Sequence, residues 1–206
     1  MTGIVDGPGR VTPRSARHEA ICDAVFELLA EVGYDQMSMD AVATRARASK
    51  ATIYRAWPCK PDLVNEALIH RFGTSPEAPD TGTLRGDLLA LMTRACQLAN
   101  SADGAVITGL LTAAARNEEL SRTLHRCTYE MKHAVHETII NRATARGEIP
   151  AGTCPGLLHE VMYAMVLTRT MLSAGSLDDD FAEHVVDDVL LPVLRRSRIP
   201  DGVAAR

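Results

Sequence analysis

Aromatic residues are scarce in this 206-residue chain: one Trp, four Tyr and three Phe, 4% of the total. That speaks against a β-sandwich built on aromatic and β-branched strands. No stretch of 18 consecutive apolar residues occurs. The most apolar segments, 105–115 and 161–172, are interrupted by Thr108, Gly109 and Arg169, so no membrane span is expected. The first twenty residues carry arginines but no apolar core, so no secretory signal is expected either. The five cysteines, at 22, 59, 96, 127 and 154, are odd in number, scattered, and never form a C-x-x-C pair. This excludes a disulfide framework or zinc finger and points to reduced thiols in the cytoplasm. G-x-S-x-G, P-loop and G-x-G-x-x-G signatures are all missing, so an enzyme is not expected and no catalytic residue, cofactor or metal site is assigned. Basic residues do not dominate: the net charge is −4 and the pI about 6.0, which excludes a uniformly basic nucleic-acid coat.

What is present is helix-forming. Apolar residues make up 46%, led by Leu, Ala and Val, and no strand alternation is visible. Residues 1–11 read as a flexible basic arm. Thr12-Pro13 reads as a cap and first turn, followed by Ile21, Val25, Leu28, Leu29 and Val32 on one helical face and by Gly33 as a stop. Ser38 caps a short helix with Ala41, Val42 and Ala46. Ser49 caps another with Ile53 and Trp57 inward, stopped by Pro58, and Pro61 opens a fourth with Leu63, Val64, Ala67, Leu68 and Phe72. The proline- and glycine-bearing stretch 73–83 is the clearest boundary. Long helical patterns follow over 84–99, 104–115, 118–146, 155–174 and 178–196, with a break placed at Asp103-Gly104. The expected fold is all-α: a three-helix helix-turn-helix domain over 12–57, a connecting helix and linker over 58–83, and a helical bundle over 84–206.

Charge is unevenly spread. Residues 41–60 hold Arg45, Arg47, Lys50, Arg55 and Lys60 and no acid, inside a net-acidic chain. Two short helices joined by a tight turn, 38–45 and 49–57, have helix-turn-helix dimensions, and the second of such a pair reads the DNA major groove. Lys50 and Arg55 can donate to guanine, and Ala51 and Thr52 offer a methyl contact or a hydroxyl. Tyr54 and Lys60 suit phosphate oxygens at the edge. Arg10, Arg14 and Arg17 from the arm can follow the backbone or enter the minor groove.

The run MSMDAVATRARASKATIYRAWPCKPDLVNEALI resembles the DNA-binding domain of the tetracycline-repressor (TetR) family of bacterial transcriptional regulators, over about residues 15–70. The resemblance implies a three-helix reading head, a connecting fourth helix, and a C-terminal domain that dimerises and binds an inducer. It implies Tyr54 and Lys60 at phosphates, Ser38 and Ser49 as caps against the backbone, Lys50–Trp57 as the recognition helix, and a double-stranded operator as partner. Two positions depart from the family pattern. Arg47 stands where the turn usually has glycine, at a cost of roughly 1 kcal/mol if the backbone there is left-handed, offset if Arg47 reaches a phosphate. Cys59 stands where a serine usually caps the fourth helix. The helix dipole and Lys60 would lower its pKa, which opens a redox-sensing alternative.

In the C-terminal half, Leu120, Leu124, Cys127, Met131, Val135 and Ile139 form one stripe of a long helix, and His125, Tyr129, His133, His136 and Ile140 form another. The second stripe suits an exposed face, an effector pocket, or a metal held by His133 and His136, although no Glu or Cys completes a ligand set. Candidate effector contacts are Met92, Cys96, Tyr129, His133, His136, Met162 and Met165. The helix over 155–174 is apolar almost all round, and with 178–196 it would form a two-fold homodimer interface. A DNA-binding regulator with no effector is the remaining alternative.

Overall fold

The computed structural model describes residues 16–73, 77–172 and 175–196, and within that range not the side chains of 127–132. The described residues hold helices and no strand. They are α1 (Ala16–Gln36), α2 (Met39–Arg45), α3 (Lys50–Ala56), α4 (Lys60–Phe72), α5 (Leu84–Ala99), α6 (Ala102–Ala114), α7 (Glu118–Ala145), α8 (Pro155–Leu172), α9 (Asp179–His184) and α10 (Leu191–Arg196), the last two bridged by a π-helical turn, Val185–Leu190. No helix among the described residues is long and apolar enough to cross a membrane.

Capping side chains decide where most of these helices start. Ser38, Ser49, Thr83, Ser101, Asn117 and Asp178 each accept a hydrogen bond from an otherwise unpaired N–H of the first turn. Each such cap is worth about 1 kcal/mol. The α6 start therefore falls at Ser101, not at the Asp103-Gly104 break expected from composition. Gly104 lies inside the first turn and is buried, and a Cβ there would run into the backbone carbonyls of Leu98 and Ala99. Gly33 behaves as the sequence suggests. Its φ of 74° breaks the regular run of α1, and one more turn follows to Gln36. The Thr12-Pro13 start and the arm, with Arg10 and Arg14, lie outside the described residues; Arg17 is exposed on α1.

Two hydrophobic cores fill the molecule, and they do not divide at residue 73. The first joins Val25, Val42, Ile53, Leu63 and Val64 of α1–α4 with Val106 and Leu110 of α6 and Leu120 and Leu124 of α7. The second gathers Leu84, Leu88 and Met92 of α5, Val135, Ile139 and Ala143 of α7, Leu158 and Met162 of α8, and Phe181 to Leu194 of the last helices. The helix α7 thus contributes its first half to one core and its second half to the other. Between them, Arg71 at the end of α4 donates two hydrogen bonds to Asp103 of α6, at 2.8 and 3.1 Å. The linker is also anchored. Fully buried Asp87 accepts from Thr81 N–H at 2.7 Å and Thr81 Oγ1 at 2.8 Å, and Arg146 bridges Asp87 to Glu148. Buried carboxylates require such partners, so residues 77–83 are tied to both α5 and the end of α7.

The helix α8 is less covered than its composition predicts. Leu158, Met162 and Val166 are buried, but Met171 is 49% and Leu172 81% exposed.

Candidate nucleic-acid interface and cavity

The turn between α2 and α3 is built by backbone hydrogen bonds from Arg47 N–H to Thr44 O and from Ala48 N–H to Ala43 O. Arg47 has a φ of 51°, left-handed, and it is the one non-glycine residue in that region among those described. The conditional cost raised by the missing glycine is therefore real, about 1 kcal/mol. Its guanidinium is exposed and forms no ion pair among the described residues. Ile53 and Trp57 anchor the inner face of α3 in the first core, while Lys50, Ala51, Tyr54 and Arg55 are exposed on the outer face. The Ser49 hydroxyl accepts from Thr52 N–H at 3.1 Å and lies 2.8 Å from the Thr52 hydroxyl, so Thr52 is partly engaged in its own helix cap. Ser38 caps α2 from an exposed position, accepting from Ala41 N–H at 3.1 Å.

The basic window is much less basic in space than along the chain. Arg45 is held by Glu31 at 2.7 Å and by Glu27 at 3.0 Å, both from α1, and its guanidinium holds the Glu31 carboxyl below its ordinary range. Lys50 pairs with Asp40 at 2.5 Å, and Tyr54 donates its phenol to the other oxygen of Asp40 at 3.3 Å. The hydrogen bond from Lys50 keeps that carboxyl below its usual pKa. Counting residues 41–60 missed all three acids, one of which is the very next residue. Arg47 and Arg55 are left without an ion pair among the described residues. The Lys50 pair is exposed, so a phosphate or base can replace it at small cost.

Lys60 is not an outward cation. Its ammonium donates to the carbonyls of Tyr34 at 2.8 Å and Met37 at 3.0 Å, and lies 4.1 Å from the centre of the Tyr34 ring. Burial lowers its pKa and pushes the Tyr34 phenol up to about 12. It closes the end of α1 against the start of α4, satisfying carbonyls in the last turn of α1 and just beyond it. A phosphate at Lys60 would have to share this ammonium.

Cys59 reverses the expected shift. It occupies the cap position of α4 but makes no side-chain cap bond. Its thiol instead donates to the Asp62 carboxylate at 3.1 Å. Burial, and then this acidic partner, push its pKa up to about 11. A thiol so rarely ionised at neutral pH is a poor peroxide target, which weighs against the redox-sensing alternative.

The C-terminal half contains a partly open cavity of about 260 Å³ lined by α5, α6 and α8. Leu98 and Ala99 line it from α5, Ile107, Thr108 and Leu111 from α6, and His159, Tyr163 and Leu167 from α8. It is a mostly apolar chamber with a few polar groups, from α8 and from Thr108 of α6, as small-molecule sites commonly are. His159 stacks on Tyr163 with ring centres 4.5 Å apart, and His136 of α7 packs behind His159 at 5.3 Å.

Of the seven side chains expected at an effector, the six that are described do not line this cavity. Met92, Cys96 and Met162 are buried in the second core, and Met165 packs against it. His136 is buried one layer behind the wall. His133 is half-exposed and faces Glu137 at 3.7 Å, and Tyr129 lies outside the described side chains. His125 is exposed, so the histidine stripe is divided among solvent, surface and core. The reason is the hand-over of α7 between two cores, which periodicity along one helix cannot reveal. His159 and Tyr163, four apart on α8, were the legible signal: two polar rings on one face of a largely apolar helix.

Residues 21–67 match the family described as "Bacterial regulatory proteins, tetR family", and residues 78–189 match "Tetracyclin repressor-like, C-terminal domain". An HTH-type transcriptional regulator of Mycobacterium tuberculosis is 34% identical over 197 residues, spanning 96% of this chain and 97% of that one. A DNA-binding transcriptional repressor TetR of Mycobacteroides abscessus is 37% identical over 180 residues, 87% and 94% of the two chains. Among solved structures, a TetR family transcription regulator superposes with a TM-score of 0.69 at 26% identity, covering 85% of this chain and 97% of that one. The Bacillus subtilis regulator FadR, solved with stearoyl-CoA, shares the fold with a TM-score of 0.59 at 19% identity, covering 87% and 98%.

Proposed function

We propose, from the premise that this chain belongs to the TetR family of bacterial helix-turn-helix transcriptional regulators, that it acts as a homodimeric operator-binding repressor released by a small, largely apolar effector. The outer face of α3 supplies the readout. Lys50 and Arg55 donate to guanine edges, Ala51 and Thr52 meet thymine methyls, and Tyr54 meets a phosphate. Ser38, Ser49, Arg47 and, from the arm, Arg14 hold the backbone on either side. Lys60 serves this surface from behind, by fixing the angle between α1 and α4. One head reads one half-site, so a palindromic operator requires two copies held by two-fold symmetry. The uncovered apolar side chains at the end of α8, Met171 and Leu172, support a dimer interface made with the 178–196 segment.

One observation carries the effector reading: α6 lies between the cavity and the reading head. Ile107, Thr108 and Leu111 face the cavity, Val106 and Leu110 belong to the core of the head, and Asp103 grips Arg71 of α4. A guest that displaces α6 therefore displaces α4 and the recognition helix with it. Release requires that the guest bind the displaced state more tightly than the DNA-bound state. The apolar walls favour an apolar guest, with the His159 and Tyr163 rings and the Thr108 hydroxyl available to orient one polar group.

The test begins with selection of bound DNA from a random pool, followed by anisotropy titration of the selected site. Thr108→Phe fills the cavity from the α6 side and is expected to lower operator affinity at least tenfold while the dimer persists in light scattering. Undiminished affinity would refute the coupling and leave a DNA-binding regulator without an effector. A wild-type monomer at micromolar concentration would refute the interface, and Leu172→Glu is expected to produce one.

A further inference from the structure

A second cluster of chemistry lies in the reading head, away from both the DNA face and the cavity. His18 and Cys22 stand one turn apart on α1, and His70 approaches them from the last turn of α4. One nitrogen from each histidine and the Cys22 sulfur all lie within 4.8 Å of one another. Cys22 is fully buried, and both histidines are half-buried at the rim.

We propose that His18, Cys22 and His70 form a binding site for a borderline transition-metal ion of the zinc class, clipping α1 to α4. Three observations carry it. The ligand set, one thiolate and two imidazoles, is what such ions take, with a fourth position open to water. One pair already stands at ligand spacing before any ion enters, and the His70 nitrogen lies within 4.8 Å of both. Tetrahedral ligands about 2.0–2.3 Å from a metal lie roughly 3.3–3.8 Å apart, and His18 Nδ1 stands 3.8 Å from Cys22 Sγ. The orientation is also prepared. Glu66 of α4 holds the other nitrogen of His18, Nε2, at 3.0 Å. A carboxylate behind a histidine in this way fixes the tautomer, so that Nδ1 presents its lone pair toward the sulfur. Glu66 is thus a positioning residue rather than a ligand. The Trp57 ring, 5.7 Å from the His18 ring, walls one side. Binding replaces the thiol S–H bond by an S–metal bond and releases the proton to solvent.

Nothing in the chain order advertises this site, since 47 residues separate Cys22 from His70. It stands on the cluster alone and does not depend on the operator or effector readings. Its mechanical consequence is plain: α4 also carries Lys60 and Arg71, so an ion holding α4 to α1 stiffens the joint between head and body.

Cobalt(II) titration of the full-length protein, freshly reduced and freed of metal by chelator, tests it. One equivalent per chain is expected to give the intense near-ultraviolet band of a thiolate–cobalt bond, together with the visible bands of a tetrahedral site. Zinc is expected to displace it and to raise the melting temperature. Cys22→Ala is expected to abolish the charge-transfer band, and His70→Gln, at a half-exposed position that leaves the fold intact, to weaken binding at least tenfold. Glu66→Gln is expected to weaken it about 10- to 100-fold without changing the spectrum. Cys59→Ser is expected to change nothing. No thiolate band in the wild type, a band that survives Cys22→Ala, or full affinity in His70→Gln would each overturn the proposal.

Discussion

Arg47→Gly separates stability from DNA affinity at a single position. Arg47 holds a left-handed conformation, φ 51°, in the turn between α2 and α3. An L-residue pays about 1–2 kcal/mol for that geometry and glycine does not. Glycine in turn loses more freedom on folding, roughly 0.5–1 kcal/mol. The net expected for Arg47→Gly is a gain of about 0–1.5 kcal/mol, or up to roughly 3–6 °C in melting temperature for a chain of this size. Arg47→Ala keeps the strain and loses the charge, so it is expected to melt below Arg47→Gly by about 1 kcal/mol. In the proposed docking, both variants lose one phosphate partner. Each is expected to bind the selected operator more weakly, with the slope of log affinity against log salt reduced by about 0.9. Thermal melts of the two variants, and anisotropy titrations at several salt concentrations, give all four quantities. Arg47→Ala melting as high as Arg47→Gly would refute the strain assignment. An unchanged salt slope in both would remove Arg47 from the DNA backbone.

Three further outcomes follow from the site geometry. Cys59 is expected to alkylate slowly at neutral pH and to accelerate as pH approaches about 11, while Asp62→Asn moves that onset downward; mass spectrometry of the modified peptide over a pH series checks both. Gly104→Ala is expected to cost about 1–3 kcal/mol and to distort the α5–α6 corner, because the added methyl meets the carbonyls of Leu98 and Ala99; a melt equal to wild type would contradict the close approach. Lys60→Ala strips two carbonyls of a charged donor and is expected to cost about 1–3 kcal/mol. Its loss of DNA affinity is expected to come with little change in salt slope, whereas a slope reduced by about 0.9 would return Lys60 to a phosphate.

The one-dimensional features read well wherever one residue acts on its own neighbours. The caps Ser38 and Ser49 were visible as residue types in place, because each bonds an N–H three positions on. The inward pair Ile53 and Trp57 and the α4 stripe followed from helical spacing, and the left-handed turn at Arg47 from a glycine missing where the family resemblance expects one. The family itself was legible for the same reason: its signature lies in one unbroken run.

Contacts between distant segments were not legible. The +5 window over 41–60 was a true count and a poor guide to the field, because Glu27, Glu31 and Asp40 fold against Arg45 and Lys50. Lys60 looked outward until two carbonyls from the end of α1 were brought to it. Cys59 looked acidic beside a lysine, but Asp62 and burial decided otherwise. The histidine stripe of α7 dissolved because that helix serves two cores, and the cavity formed on α5, α6 and α8 instead. The sequence by itself determined helix, turn and family, which depend on a few adjacent residues and their backbone. Only the tertiary structure decided which charges are spent, which thiols are quiet, and that Cys22 and His70 meet, because burial and electrostatics depend on what the fold brings within a few ångströms.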